Sequence, residues 1–80
     1  MDYMIANVDD VSRQGHYSIH RVGNKYEVRA HSDKSGRNVS RMFDEPMEAC
    51  KAFNTIVRWV VFGFYADNDR MDFIESGTME

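Results

Sequence analysis

The chain has 80 residues, of which 42% are hydrophobic and 29% charged, and it carries a formal net charge of −3 at pH 7. This length and composition predict one small domain over residues 1–80 with a modest core, and they exclude a disordered or repeat protein. The longest apolar run, residues 59–66, is much shorter than the about 20 residues that span a membrane. We therefore expect no membrane partner.

Targeting and redox features point to the cytoplasm. The start of the chain is acidic at Asp2, Asp9 and Asp10, unlike the basic and then apolar start of a secretory signal. Cys50 is the single cysteine, so no disulfide framework can form within the chain. A reducing cytoplasmic setting fits these features best, and for a phage-encoded protein this would be the host cytoplasm.

Charge is sorted along the chain. Residues 13–41 hold seven basic and two acidic residues, a net charge of +5. Residues 1–12 carry −3, and residues 42–80 carry −5. Such sorting is typical of proteins whose surfaces meet different partners, and it predicts a basic pole and an acidic pole.

A tight β-hairpin is the strongest local signal. Residues 3–5 before it predict only a short edge strand or turn. Residues 17–22 and 25–31 alternate between apolar and polar side chains, and Gly23-Asn24 joins them. With Val22 facing Lys25, the register places residues 17, 19, 28 and 30 on one buried face. The opposite face then pairs residues 18 with 29, 20 with 27, and 16 with 31.

A polar loop over residues 32–38 follows the hairpin, and residues 39–43 predict a third strand paired to the second. Pro46 after two acidic residues marks a helix start, which Asp44 or Glu45 could cap. From Met47 the apolar residues recur at helical spacing on one face. That face comprises Ala49, Cys50, Phe53, Ile56, Val57, Val60, Val61 and Phe64.

Trp59 and Phe62 project away from this apolar face, so other atoms must cover them. Residues 70–76 contain Met71, Phe73 and Ile74 and could fold back as a short helix or strand. A homodimer or a partner protein could cover them instead. The predicted fold is α+β, with a three-stranded antiparallel β-sheet packed against one long α-helix and a short folded C-terminal segment.

Residues that could carry chemistry are few. His16 and His31 face each other near Asp33 and could hold zinc, but the spacing matches no known metal signature, and solvated histidines are the simpler interpretation. The acidic residues of 67–75 lack the central glycine of a calcium loop. Cys50 lies on the apolar face of the helix. We therefore predict no enzyme, no cofactor and no metal.

Two charged surfaces and one apolar surface are the candidate binding sites. The acidic pole comprises Asp67, Asp69, Asp72 and Glu75. The basic sheet face comprises His20, Lys25, Arg29, Lys34, Arg37 and Arg41. The candidate interface comprises Trp59 and Phe62.

The layout of residues 17–25 followed by 42–49 resembles that of small phage-encoded anti-CRISPR proteins, including one acting against type I-F systems. The order of strand, turn, strand, loop, strand and helix is also similar to the sheet-type DNA-binding domains of phage integrases and plant AP2 factors. Neither likeness includes a diagnostic motif. Integrase-type domains are usually basic throughout, whereas this chain has an acidic helix start and tail, which favours the first group.

These features lead to one main hypothesis and two alternatives. The main hypothesis is a non-enzymatic phage or mobile-element inhibitor that docks on a host defence complex of the CRISPR-Cas type, a protein or ribonucleoprotein. It would act by steric occlusion, blocking nucleic-acid or nuclease access. The first alternative is a DNA-binding module that uses its sheet face, and the second is a small regulatory or structural homodimer.

Overall fold

Four strands and two helices follow one another along residues 2–78, the part of the chain that the computed structural model describes. The elements are β1 (Asp2–Asp10), β2 (Gly15–Val22), β3 (Lys25–Ser32), β4 (Asn38–Phe43), α1 (Pro46–Phe62) and α2 (Asp67–Ser76). The strands form one antiparallel sheet in the order β1-β2-β3-β4. Neither helix in residues 2–78 is long and apolar enough to cross a membrane.

The α+β class is confirmed, but the prediction of three strands and one long helix is wrong. The sheet gains a fourth strand, the nine-residue β1, and the short C-terminal segment is the ten-residue helix α2. The sequence predicts only residues 3–5 of β1, as a short edge strand or turn. Its full length is not predicted, because it is an edge strand with mostly exposed side chains and its register shifts near Ile5. β1 is recognised as a strand by its hydrogen bonds to β2. Its side chains do not alternate between buried and exposed, so the sequence lacks the usual strand pattern.

The predicted hairpin is confirmed in every register position. Val22 pairs with Lys25, Ile19 with Val28, and His16 with His31. Gly23 has a φ of 65°, in the left-handed region that a tight turn requires and that glycine adopts without penalty. The predicted third strand is also confirmed, as β4, which pairs antiparallel with β3.

Both helices pack on one face of the sheet and leave the other face uncovered. The buried core between the layers comprises Tyr17, Ile19, Val28, Ala30, Val39, Ala49, Phe53, Ile56, Met71 and Ile74. The contact stripe of α1 is narrower than predicted, because Cys50 and Val61 are exposed. Phe64, also predicted to be buried, lies beyond the end of α1, where Gly63 takes a left-handed conformation.

The start of α1 has the predicted proline but no side-chain cap. Glu45 occupies the N-cap position and Pro46 follows it, yet no side chain accepts a hydrogen bond there. Asp44 instead accepts a hydrogen bond from Lys25 at 2.7 Å. The helix start is therefore set by the fixed backbone of proline.

Three connections meet at one end of the molecule, which we call the loop end. They are the turn 11–14, the β3–β4 loop 33–37 and the α1–α2 connection 63–66. Arg13 donates a hydrogen bond to the Gly63 carbonyl at 3.2 Å, and the Asp33 amide donates to the Gln14 carbonyl at 3.0 Å. The second contact ties the turn to the β3–β4 loop, and the first ties it to the α1–α2 connection.

Candidate interaction site

Large apolar side chains are exposed together at the loop end. We call Val61, Phe62, Phe64 and Tyr65 the aromatic patch; their exposed fractions are 69%, 67%, 54% and 46%. The rings of Phe62 and Phe64 stack with centroids 5.9 Å apart, and Phe64 and Tyr65 meet edge to face at 6.4 Å. Contiguous exposed apolar surface of this kind marks interaction sites in water-soluble folds.

Trp59 supports the patch from beneath. Its half-buried ring contacts Tyr65 edge to face at 4.7 Å and Phe73 of α2 at 4.9 Å. The prediction that the C-terminal segment covers Trp59 is therefore confirmed, and Phe73 is the residue that does so. The same expectation for Phe62 is wrong, since two thirds of that side chain remains exposed.

A fully buried arginine holds the connection that carries the patch. Arg70 has 0% exposure. Its guanidinium donates hydrogen bonds to the Phe64 carbonyl at 2.7 and 2.9 Å and to the Trp59 carbonyl at 3.1 Å. It also lies 2.7 Å from the Asp10 carboxylate at the end of β1. One side chain thus joins β1, the end of α1 and the connection 63–66.

The buried charges around Arg70 are fully hydrogen-bonded. The Tyr17 hydroxyl donates to the Asp67 carboxylate, and burial followed by this bond raises the pKa of Tyr17. Burial by itself would raise the pKa of Asp10, but hydrogen bonds from Arg70 and Ser12 outweigh it and lower that pKa to about 2. Every buried side-chain nitrogen and oxygen within residues 2–78 has a partner. Satisfied networks of this kind rigidify the structure around them.

Backbone strain is also concentrated at the loop end. Gln14 and Tyr65 have φ angles of 59° and 65°, and they are the two non-glycine residues with positive φ within residues 2–78. Such conformations cost on the order of 1 kcal/mol and persist where the surroundings hold them, often at functional sites. The strain at Tyr65 coincides with the patch, and that at Gln14 with the neighbouring turn.

A polar cavity of about 480 Å³ lies between the three connections, next to the patch. Its lining is rich in hydroxyl, amide and charged side chains, and Met71 lies among them. The polar lining residues comprise Ser12, Arg13, Gln14, Ser32, Lys34, Ser35, Asp67 and Asn68. Patch and cavity together form a surface with an apolar half and a polar half.

Comparisons with known proteins do not identify the chain. The chain matches no protein-family model, no curated protein and no solved structure at a significant level. The likeness to anti-CRISPR proteins and to integrase- or AP2-type domains therefore stays a prediction. What the surface can do has to be argued from its own chemistry.

The four residues of the predicted acidic pole lie on α2 but do not form a free negative surface. The carboxylate of Asp67 lies in the buried network and is 13% exposed. Asp72 and Glu75 lie 2.9 and 3.4 Å from the Arg37 guanidinium. Asp69 is the member of the set that makes no ion pair within residues 2–78. The predicted poles thus contact each other through Arg37, whose single positive charge offsets one of the two negative charges of Asp72 and Glu75.

Two of the basic residues predicted on the sheet face, Lys25 and Arg29, are also held by carboxylates. Arg29 lies on the uncovered face, where it contacts Asp2 at 2.7 Å and also Glu27. These contacts raise the pKa of Arg29, with the hydrogen bond to Asp2 as the main cause. Lys25, at the hairpin end of β3, lies 2.7 Å from Asp44. These two cations therefore have little free charge to offer a phosphate backbone.

The remaining members of that set are scattered. His20 is on the uncovered face, with its ring 2.8 Å from the Ser18 hydroxyl. Lys34 is on the β3–β4 loop, lines the polar cavity and makes no ion pair within residues 2–78. The Arg41 guanidinium lies above the Phe43 ring, 4.8 Å from its centroid. Arg41 is the cross-strand neighbour of buried Val28, so its side chain is on the helix side of the sheet. A continuous basic sheet face is not formed.

Sequence reasoning missed the residues that matter most at this site. Phe64 and Tyr65 were assigned to an apolar run, because only the end of α1 at Gly63 turns them outward. Arg70 sits in a polar stretch, and its one signal is that it neighbours Met71 and lies four residues before Ile74.

No three histidine, cysteine or acidic side chains within residues 2–78 are arranged to hold a metal ion.

Proposed function

We propose that this protein is a non-enzymatic binding protein that docks on a protein partner through the aromatic patch. The observation that carries the proposal is the exposure of Phe62, Phe64 and Tyr65 on a connection held by the buried Arg70. Single exposed apolar side chains are common on protein surfaces, whereas a cluster of large ones is the informative feature.

Rigidity makes the patch suitable for tight binding. Association is weakened by the conformational entropy that a flexible surface loses. Arg70 bonds to the carbonyls of Phe64 and Trp59, so the backbone of connection 63–66 is ordered before any partner arrives. Aromatic side chains in such rigid settings are frequent hot spots of interfaces.

The charge around the patch indicates the partner's chemistry. Arg58 lies one helical turn before Phe62, and residues 58–66 contain no acidic residue, although the whole chain has a net charge of −3. Arg13, which also pairs with Asp10 at 3.4 Å, flanks the connection 63–66 from the turn. The matching partner surface is an apolar pocket with an acidic rim.

A second copy of the chain fits the patch less well. In a twofold contact the bases around the patch, Arg58 among them, would approach their own copies. The four exposed side chains also offer on the order of 400 Å², whereas a stable interface buries about 800 Å² per partner. A pocket in a different protein can surround the aromatic rings and so bury more area.

The narrower form of the proposal is the one predicted from the sequence. The partner would be a host defence complex of the CRISPR-Cas type, and the protein would inhibit it by occluding its nucleic-acid or nuclease site. The α2 carboxylates could also inhibit by imitating the phosphates of a nucleic acid, but pairing of Asp72 and Glu75 with Arg37 reduces their free negative charge and favours occlusion by a docked protein. Docking on a partner through the patch does not depend on this identity.

The experiment compares Phe62→Ser with Met47→Ser in partner binding. Both side chains are exposed, at 67% and 69%, and both lie on α1, but Met47 is at the opposite end of the helix. Affinity capture from cells carrying the native partner, or from cells with type I-F immunity, should recover the same protein with wild type and M47S. We expect F62S to weaken that binding by about 30-fold or more, the effect of losing a hot spot of 2 kcal/mol.

A set of captured proteins that is identical for wild type, M47S and F62S would overturn the docking proposal. Arg58→Glu tests the predicted acidic rim, and it should weaken binding and reverse its salt dependence. A second assay infects cells that have type I-F immunity with a phage that this immunity targets. Protection of the phage by wild type but not by F62S would support the proposal that the protein inhibits a defence complex. Binding without any protection would reject that form and retain docking.

A further inference from the structure

The uncovered sheet face carries a chain of histidine and aspartate side chains next to the loop end. His16 on β2 lies between two carboxylates: its Nδ1 is 2.9 Å from Asp9 and its Nε2 is 2.6 Å from Asp33. His31 on β3 reaches the other oxygen of Asp33 with its Nε2 at 3.1 Å. The two imidazole rings stack with centroids 6.1 Å apart.

The geometry requires that His16 carry two protons. A carboxylate only accepts hydrogen bonds, whereas a neutral imidazole has one N–H to donate. With carboxylates at both nitrogens, only the imidazolium can satisfy Asp9 and Asp33 together. The hydrogen bond to Asp33, and then that to Asp9, accordingly raise the pKa of His16, and the same bond lowers the pKa of Asp33.

Asp33 connects this cluster of histidine and aspartate side chains to the backbone of the loop end. It is the first residue of the β3–β4 loop, and its amide donates to the Gln14 carbonyl at 3.0 Å. Gln14 is the strained residue of the turn, with a φ of 59°. The carboxylate of Asp33 is therefore held by β2 and β3, while its backbone holds the turn.

The groups that face His16 come from every neighbouring strand and loop. β1 supplies Asp9, β3 supplies His31, and the β3–β4 loop supplies Asp33. β4 supplies the neutral Asn38, whose amide oxygen lies 2.8 Å from His31 Nδ1. The helices pack on the other face. Among these groups, His16 is the one placed between two carboxylates.

We propose that His16 and Asp33 form a proton-operated latch, which holds the β3–β4 loop against the turn 11–14 when His16 is protonated and releases it when His16 is neutral. Loss of one proton leaves His16 with a single N–H, which Asp9 and Asp33 cannot both accept, and it removes the positive charge that attracts Asp33. Weakening of this contact loosens the Asp33 amide from Gln14 and widens the polar cavity, which Lys34 lines. The latch goes beyond the proposed docking function, and it requires no partner.

The direction of the pH effect follows from the pKa of His16. Because the folded-state pKa is raised above 6.5, the latch contributes its full stability below pH 6.5 and loses it as the pH rises through the folded value. The depressed pKa of Asp33 sets the lower limit, since protonating that carboxylate below pH 3.8 also breaks the bond. NMR can follow both groups: the protonation of His16 through its ring proton resonances, and the Asp33 amide through hydrogen exchange.

The test measures exchange protection of the Asp33 amide at pH 6 and at one pH unit above the His16 midpoint found by NMR titration, corrected for intrinsic exchange. We expect wild type to lose protection of this amide above the midpoint, and His16→Gln to lack it at both pH values. His20→Gln is the matched control, because His20 lies on the same face outside the latch, and it should behave as wild type. Equal protection of the wild-type amide at both pH values would overturn the latch.

A titration of wild type keeps the proposal testable if H16Q does not fold. The ring proton resonances of His16 and the amide resonance of Asp33 should titrate together, with a common midpoint above pH 6.5. A midpoint of His16 at or below 6.5, or an Asp33 amide that does not follow it, would contradict the proposal.

Discussion

The Arg70 guanidinium and the Asp10 carboxylate form a 2.7 Å ion pair between residues that are 60 positions apart in sequence, and both side chains are buried. The pair joins the first strand to the last helix. Because Arg70 also bonds the carbonyls of Trp59 and Phe64, the same pair orders the connection that carries the aromatic patch. Stability of the fold and presentation of the patch thus depend on one side chain.

Replacement of Arg70 by methionine should destabilise the protein strongly. The change removes the charge partner of the buried Asp10 carboxylate, which keeps hydrogen bonds from Ser12 and Arg13, and it removes the side-chain donor to the Phe64 carbonyl. Breaking a buried pair in this way costs about 3–5 kcal/mol. For a small domain this is a large part of its stability. Urea unfolding measures the loss, and Arg58→Met, at an exposed position of α1, should stay within about 0.5 kcal/mol of wild type. Equal midpoints for the two variants would contradict the role of Arg70.

Acid should unfold the protein partly through Asp10. Its folded-state pKa of about 2 lies below the ordinary value of 3.8, so its contribution is present above pH 3.8 and lost as the pH falls toward 2. The difference corresponds to about 2 kcal/mol at neutral pH. Urea unfolding at pH 7 and pH 2.5 measures this loss. Asp10→Asn should be less stable at pH 7 and should lose less on acidification; an equal loss in both proteins would show that Asp10 is not responsible.

Random duplex DNA at low salt should not be retarded by this protein in an electrophoretic mobility shift. Arg29 is held by Asp2 and Glu27, and Lys25 by Asp44, so the sheet face lacks the free cations that phosphate binding needs. Tight binding that Arg29→Glu abolishes would instead support the DNA-binding module predicted as an alternative.

Sedimentation equilibrium at micromolar concentration should give the monomer mass of 9.3 kDa. The patch is small for a self-interface, and Trp59 is already packed between Tyr65 and Phe73. A dimer that Phe62→Ser converts to a monomer would favour the homodimer built on Trp59 and Phe62 over docking on another protein.

Gly15→Ala should destabilise the loop end by steric conflict. A Cβ atom at this buried position would overlap the Asp67 carboxylate and lie 2.7 Å from the Tyr17 hydroxyl. Overpacking of this kind costs about 1–3 kcal/mol. Gly23→Ala is the control, because it meets no atom within 4 Å and suffers only from its positive φ, about 1 kcal/mol. Thermal unfolding of both variants measures the difference; a smaller loss for G15A would show that the site can relax.

The elements that could be predicted are those whose signals are local. The hairpin follows from alternation on both sides of Gly23-Asn24, and the start of α1 from Pro46. β1 could not be predicted in the same way, since its side chains are mostly exposed and its partner strand supplies the hydrogen bonds. α2 has a polar sequence whose buried stripe includes a charged residue, Arg70, which hides the usual apolar pattern.

The candidate site likewise contains residues that have a local signal in the sequence and residues that have none. Phe62 could be recognised as an apolar residue off the stripe of its helix. Its neighbours Phe64 and Tyr65 could not, because their direction depends on where α1 ends and on the bonds of Arg70. The charged poles differ from the prediction for a related reason. Arg37 pairs with Asp72 from a distant segment, and the order of residues in the sequence does not show which charges lie close together in space.

Three features follow from the sequence alone: the α+β class, the hairpin with its register and the helical stretch that begins at Pro46. These depend on backbone preferences and side-chain periodicity over a few neighbouring residues. Three others become visible only in the folded protein: Arg70 is buried, most of the predicted site charges are paired, and the aromatic patch is exposed. Each of these is set by the distance between groups far apart along the chain, and only packing of the helices on the sheet brings those groups together.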